Sequence, residues 1–251
     1  MPATRERLDR LLVTQGLMAS REVAARTILA GGVLVDGIVV DKPSRLVGVD
    51  SRIEIERPPQ FVSRSGEKLA SALDAFAIDP TGKMCLDVGC STGGFTDCLL
   101  QRGASRVYAV DVGYGLIDWK LRQDPRVVLL ERTNIRYIKS TAIAHAIDLA
   151  VIDVSFISLT LVLPSVTPLL QRNAFVVALV KPQFEVGKGQ VGAGGIVRDD
   201  VQREAVTRKV IDHAIRLGLE LKGILDSPVK GRKGNREILV GFDYRGIITP
   251  S

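Results

Sequence analysis

Apolar residues recur at helical spacing twice near the start of the chain, at Leu8, Leu11 and Leu12 and again at Val23, Ala24, Ile28 and Leu29, with Ser20 placed to cap the second run. These runs predict two short helices. Gly31-Gly32 stops the second, and VLVDGIVV then reads as a tight hairpin whose Asp36-Gly37 pair suits a type I′ turn. A third strand from Arg52 to Glu56 completes a small α+β module over residues 1–57. The double proline of RPPQFV cannot continue a strand ladder, which places a linker at 58–63. From 64 to 251 the pattern changes. Apolar runs of strand length, MCLDVG, RVYAVDV, RVVLL, DLAVIDV and AFVVALV, alternate with helical segments and predict an α/β fold with a mostly parallel sheet covered on both faces. LELKGILD and REILVGFDY follow without a long crossover, so the last strand is expected to be antiparallel.

In such a sheet, ligands bind at the carboxyl ends of the parallel strands. LDVGCSTGGF joins the first strand to a helix, and its glycines allow backbone amides to approach a ligand closely. Asp111 ends the second strand, where a carboxylate can accept hydrogen bonds from ribose hydroxyls, so the pair of features predicts a nucleoside-containing cofactor. The glycine spacing of Gly89-Cys90-Ser91-Thr92-Gly93-Gly94 is not the GxGxxG of dinucleotide sites, and S-adenosylmethionine fits better than nicotinamide. An oxidoreductase is the alternative on this ground. Asp153 ends the fourth apolar strand, Lys181 ends the fifth, and Glu237 opens the last, which begins at the same edge if it is antiparallel. Lys68, in VSRSGEKL, can reach them from the side. Singly, each reads as an ordinary solvated charge or surface ion pair; their convergence suggests chemistry.

Charge then adds a partner. The 251 residues carry 34 Lys and Arg against 28 Asp and Glu, a formal net charge of +6 that suits a polyanion. The first residues lack the apolar core of a signal peptide, and no stretch approaches the ~20 apolar residues of a membrane span, so a cytoplasmic protein without membrane contact is expected. Cys85, Cys90 and Cys98 show no CxxC pairing and the two histidines, His145 and His213, stand apart, so no metal site is expected and the thiols read as inert. Oligomeric state is not legible.

The segments RLDRLL, SREVAARTILAGGVLVDGIVVDKPSRLV and IEI resemble the RNA-binding module named after the fourth protein of the small ribosomal subunit. That resemblance implies phosphate contacts by Arg5, Arg10 and Arg21, which position RNA without reading its sequence. DVGxxxGGF resembles the methyltransferase form of the cofactor loop. It implies an S-adenosylmethionine site at Asp87, Gly89, Ser91, Thr92, Gly93, Gly94, Phe95 and Asp111, with Asn134 near the adenine; a capping asparagine is the bland reading of Asn134.

Lys68, Asp153, Lys181 and Glu237, in this order, resemble the tetrad of ribose 2′-O-methyltransferases. Burial and a neighbouring ammonium both favour the free amine of a lysine, so the resemblance makes Lys181 the base and Lys68 its cationic partner, with Asp153 and Glu237 orienting them. DVSFIS lacks the prolines of base-amino methyltransferases; Phe156 is expected in the core, with base stacking as the alternative. Arg64, the glycine-rich segment with Lys188 and Arg198, and the stretch with Lys230, Arg232, Lys233 and Arg236 are expected to face RNA.

FVSRSGEKL, LDVGCSTGGFTDCLL, DVSFISL, VKPQFEVGK and GNREILVGF together make the chain similar to the hemolysin-A-type (TlyA) ribosomal RNA methyltransferases. The second domain is then expected to be a Rossmann-like class I methyltransferase of the FtsJ/RrmJ type, with a seven-stranded sheet whose last strand is antiparallel. The resemblance implies 2′-O-methylation of cytidine ribose in large-subunit ribosomal RNA, for some members also in the small subunit, with ribosomal RNA or ribosomal subunits as partner. A membrane-active hemolysin and an RNA-binding scaffold with an inactive domain are the alternatives.

Overall fold

The computed structural model describes residues 4–29, 31–55, 60–187, 195–229, 231 and 234–246, without the side chains of Arg26 and Ser140. The chain divides into two compact units, Met1–Gln60 and Phe61–Ser251.

The first unit contains β1 (Arg5–Arg7), α1 (Leu8–Thr14), α2 (Arg21–Leu29), β2 (Val33–Val35), β3 (Ile38–Val39), β4 (Leu46–Gly48) and β5 (Ile53–Ile55). Ser20 Oγ accepts the Val23 amide at 3.3 Å, the cap the sequence suggests. Asp36 and Gly37 take φ angles of 52° and 78°, as a type I′ turn requires, and β2 pairs with β3 on one side and β5 on the other. A further antiparallel pair, β1 with β4, is not apparent in the sequence pattern. Leu8, Leu11, Leu12, Ala24, Ile28, Val33 and Val35 close a core of their own.

The second unit opens with α3 (Ser65–Ala75), and Phe61, read from the sequence as linker, is buried in its core at 3% exposure. Residues 58 and 59 of the expected linker lie outside the described residues. The strands β6 (Met84–Val88), β7 (Arg106–Val110), β8 (Val127–Leu130), β9 (Ile147–Ile152), β10 (Leu170–Val180), β11 (Leu219–Asp226) and β12 (Ile238–Tyr244) form one sheet in the order β11-β12-β10-β9-β6-β7-β8. β12 runs antiparallel to both neighbours, and the pairs from β10 through β9, β6 and β7 to β8 are all parallel.

Side chains alternate along a strand, and two cores follow. Leu86, Val88, Ala150, Ile152, Val176 and Ala178 pack on one face with α6 (Leu159–Val166) and α8 (Asp200–Arg216). Cys85, Val107, Leu149, Val151, Val177 and Leu179 pack on the other with α3 and α4 (Gly94–Gln101). Two single-turn helices, α5 (Trp119–Arg122) and α7 (Pro182–Glu185), lie in loops that follow strand ends.

Candidate active site

Strand order reverses between β6 and β9, the point at which an open α/β sheet leaves a crevice at its carboxyl edge. At the end of β6, Asp87 is fully buried, and its Oδ2 accepts the Thr96 hydroxyl at 2.6 Å. Its Oδ1 has no hydrogen-bond partner among the described residues. Burial pushes the Asp87 carboxyl up to about 7, against the opposing pull of the Thr96 hydrogen bond.

The following turn is tight. Gly89 has φ 85°, and a Cβ there would stand 2.6 Å from the Asp153 carbonyl oxygen, so the turn packs directly on the start of the loop after β9. A Cβ on Gly94 would fall 2.1 Å from Ser65 Oγ and 2.3 Å from Ser63 Oγ, and Phe95 is 2% exposed within the core. The glycine at 94 therefore serves packing between α4 and α3 as well as any ligand. Ser91 and Thr92 are exposed. The Ser91 amide donates to Asp111 Oδ2 at 2.8 Å and the Gly113 amide to Oδ1 at 2.7 Å, which fixes the carboxylate at the end of β7.

Asn134 takes the bland role: its Oδ1 accepts the Arg136 amide at 3.0 Å and caps the 3-10 turn Ile135–Tyr137. Beside it, Arg132 stacks over Tyr114 at 4.3 Å and Arg136 over Tyr137 at 5.3 Å, with both rings exposed. The sequence reading passed over these rings, because lone aromatics in loops carry no periodicity. The three thiols are buried, and burial pushes those of Cys85 and Cys98 up to about 12.

The catalytic candidates meet through register. Val180 of β10 pairs with Ile238 of β12, so Lys181 and Glu237 are the next positions across that antiparallel pair. Asp153 follows Ile152, and its amide donates to Val88 O at 2.9 Å, bringing it to the same edge. Lys68 reaches in from α3: its Nζ is 2.5 Å from Glu237 Oε2, with side chains 10% and 4% exposed. Lys181 Nζ is 2.5 Å from Asp153 Oδ1, with side chains 11% and 16% exposed. Each ammonium thus has its own carboxylate, and the four residues form two sheltered ion pairs. Asp153 Oδ1 nevertheless lacks an aligned hydrogen bond, so its contact with Lys181 is one of charge. Lys181 Nζ does donate to Ser155 Oγ at 3.0 Å, a contact with no signature in the sequence.

Two further residues hold the loops and were equally hidden. Glu185 of α7 is 4% exposed and accepts the Ser158 hydroxyl at 2.5 Å and the Leu159 amide at 2.8 Å, tying α7 to the start of α6. Asn235 is 3% exposed; it accepts the Val197 amide and donates to Gly195 O, joining the segment before α8 to the β11–β12 connection. Gly231 lies against Glu237, where a Cβ would come within 2.1 Å of Oε1.

Phe156 corrects the expectation of a core phenylalanine. It is 88% exposed with φ 64°, its ring centroid 5.0 Å from that of Phe184. Hydrophobicity argues for burial, but the short loop after β9 turns this residue outward.

Of the residues expected to face RNA, Arg5, Arg10, Arg64, Arg198 and Arg236 are exposed. Arg21 pairs with Asp9 at 3.0 Å, and Arg7 with the same carboxylate at 2.9 Å. The Arg7 hydrogen bond, with help from Arg21, holds Asp9 down at about 2. Lys188, Lys230, Arg232 and Lys233 lie outside the described residues. Among the described residues, no helix is long and apolar enough to cross a membrane, and no group of three or more candidate metal ligands occurs.

Residues 61–244 match the FtsJ-like methyltransferase family and residues 6–53 the S4 domain. A Mycobacterium tuberculosis protein named 16S/23S rRNA (cytidine-2′-O)-methyltransferase TlyA is 49% identical over 237 residues, covering 94% of this chain and 88% of its own length. A Brachyspira hyodysenteriae protein named Hemolysin A is 43% identical over 237 residues, 94% and 99% of the two chains. A solved Streptococcus thermophilus structure described as a hemolysin is 42% identical with a TM-score of 0.75, covering 98% of this chain and 90% of that one.

Proposed function

The chain belongs to the FtsJ-like methyltransferase family, and from that premise we propose that it is an S-adenosylmethionine-dependent 2′-O-methyltransferase acting on cytidine ribose in ribosomal RNA. The observation that carries the reading is the meeting of two sheltered lysine–carboxylate pairs at the edge where the glycine turn lies. Methyl transfer to a hydroxyl needs an acceptor for its proton, and a base works best sheltered from bulk water.

The turn fits the cofactor. Asp87 has an unpartnered buried oxygen suited to a cationic ligand group, and Asp111 stands at the end of β7 where a ribose would lie. With Asp87 and Asp111, Gly89, Ser91 and Thr92 form the holding set. When bound, the cofactor would supply a methyl group on a positively charged sulfur, an electrophile for the ribose oxygen with a neutral thioether as its leaving group. Lys181, as the free amine, accepts the hydroxyl proton at Nζ. Asp153 keeps that nitrogen at the strand edge, and Lys68, held by Glu237, sets a positive charge near the developing negative oxygen. The S4 domain supports RNA as the substrate, and assembled ribosomal subunits are the form we favour, because an added RNA-binding module docks on folded RNA.

Transfer of labelled methyl groups to undermodified ribosomal subunits tests the reading. The wild-type chain incorporates label, and Lys181→Ala loses on the order of a hundredfold in rate while still binding cofactor. A Lys181→Ala enzyme at wild-type rate would sink the assignment of the base. Dye release from lipid vesicles at equal protein concentration would instead support the membrane-active alternative.

A further inference from the structure

We infer that Ser155 is the positioning residue that aims the Lys181 nitrogen at the substrate hydroxyl, an inference that rests on Lys181 being the base. Lys181 Nζ has two polar contacts among the described residues. The Asp153 contact, at 2.5 Å, lacks hydrogen-bond alignment. Coulomb attraction depends on distance alone, so Asp153 fixes where the nitrogen sits and leaves open where its bonds point. A hydrogen bond is directional, and the one to Ser155 Oγ at 3.0 Å claims one N–H direction. A proton acceptor on a flexible four-carbon stem needs such a constraint, because only a lone pair facing the attacking oxygen is useful. A hydroxyl accepts from ammonium and amine alike, so the contact survives each gain and loss of the proton.

The serine is itself held. At one end of its loop the Asp153 amide bonds to Val88 O at 2.9 Å. At the other end Ser158 Oγ and the Leu159 amide are gripped by buried Glu185, at 2.5 and 2.8 Å. Glu185 belongs to α7, the single turn that begins directly after Lys181. The loop bearing Ser155 is therefore held at both ends, to β6 at one and to the turn that follows Lys181 at the other, which makes a 3.0 Å side-chain contact reproducible rather than one of many rotamers.

Single-turnover methyl transfer, with separate measurement of RNA and cofactor binding, tests this on Ser155→Ala, Ser155→Thr and Lys181→Ala. Ser155 is exposed, so both of its variants should fold. The expected result is a loss of about tenfold in the transfer rate of Ser155→Ala, with RNA and cofactor affinities within about twofold of wild type, and recovery of most of the rate in Ser155→Thr. A Ser155→Ala enzyme with an unchanged rate overturns the inference. So does one whose deficit lies in RNA affinity, which would make Ser155 an RNA contact, or equal loss in the alanine and threonine variants. Full activity in Lys181→Ala is a different failure, that of the base itself, and shows in its own arm.

Discussion

Asp87 shows how a single buried group couples folding to ligand binding. Its carboxyl is raised to about 7 by burial, so the folded state holds its proton more tightly than the unfolded chain does. The sign follows: this residue's contribution to stability is full below the ordinary carboxylate range and is lost as pH rises toward 7. A cationic group delivered to the unpartnered Oδ1 reverses that preference, because it favours the ionised form. Cofactor affinity should therefore strengthen about eightfold between pH 6 and 7.5, and in Asp87→Asn it should be weaker and flat over the same range. Calorimetric titration at three pH values checks this, and equal slopes in both proteins would show that Asp87 is not the titrating group. The sequence reading chose Asp87 by resemblance to a loop, and the choice of Asp153, Lys181 and Glu237 followed from strand ends. Ser155, Thr96 and the outward turn of Phe156 were not legible, because each depends on what the side chain meets across space.

Elements marked by an apolar run or a turn signal were legible, and short ones without either were not. Five apolar runs gave the parallel strands, and the absent crossover gave the antiparallel β12. β1 and β4, three residues each, and the four-residue helices α5 and α7 are too short to show more than about one repeat of their pattern. β10 begins at Leu170, well before its apolar run, because Gln171, Arg172 and Asn173 lie where its register with β9 shifts. Between helices, the fastening of α1 to α2 was hidden for a similar reason: Asp9 reads as one more surface acid. It is 4% exposed and bridges Arg7 and Arg21, which hold its carboxyl at about 2. A depressed acid of this kind adds stability above the ordinary carboxylate range and loses it as pH falls toward 2. Asp9→Asn should cost the first unit on the order of 1–2 kcal/mol at neutral pH, allowing for the two half-exposed guanidinium groups, with the difference shrinking below about pH 4. Denaturant titration followed at pH 7 and pH 3.5 measures it, and a constant difference would assign the loss to packing.

On the scale of the whole chain, charge and cores divide differently from function. Residues 1–60 hold nine basic and eight acidic side chains, so nearly all of the net +6 belongs to residues 61–251. The unit matching the S4 domain is therefore almost neutral overall, so the RNA contacts proposed for it rest on the placement of residues such as Arg5, Arg10 and Arg21 rather than on bulk attraction. Among the described residues, each unit also closes an apolar core of its own. A chain of residues 61–251 should then fold cooperatively and bind cofactor with wild-type affinity. It should keep a salt-sensitive, unselective affinity for RNA, since the counterions it displaces are set by its own basic groups. What it should lose is placement: methylation of ribosomal subunits should fall by tenfold or more, roughly, with the deficit in KM rather than in kcat, because phosphate contacts orient the substrate and take no part in proton transfer. A fragment with full kcat/KM would remove the first unit from substrate recognition. A fragment that folds but no longer binds cofactor would make the first unit part of the cofactor site, and the two roles would then have to be measured on the intact chain alone.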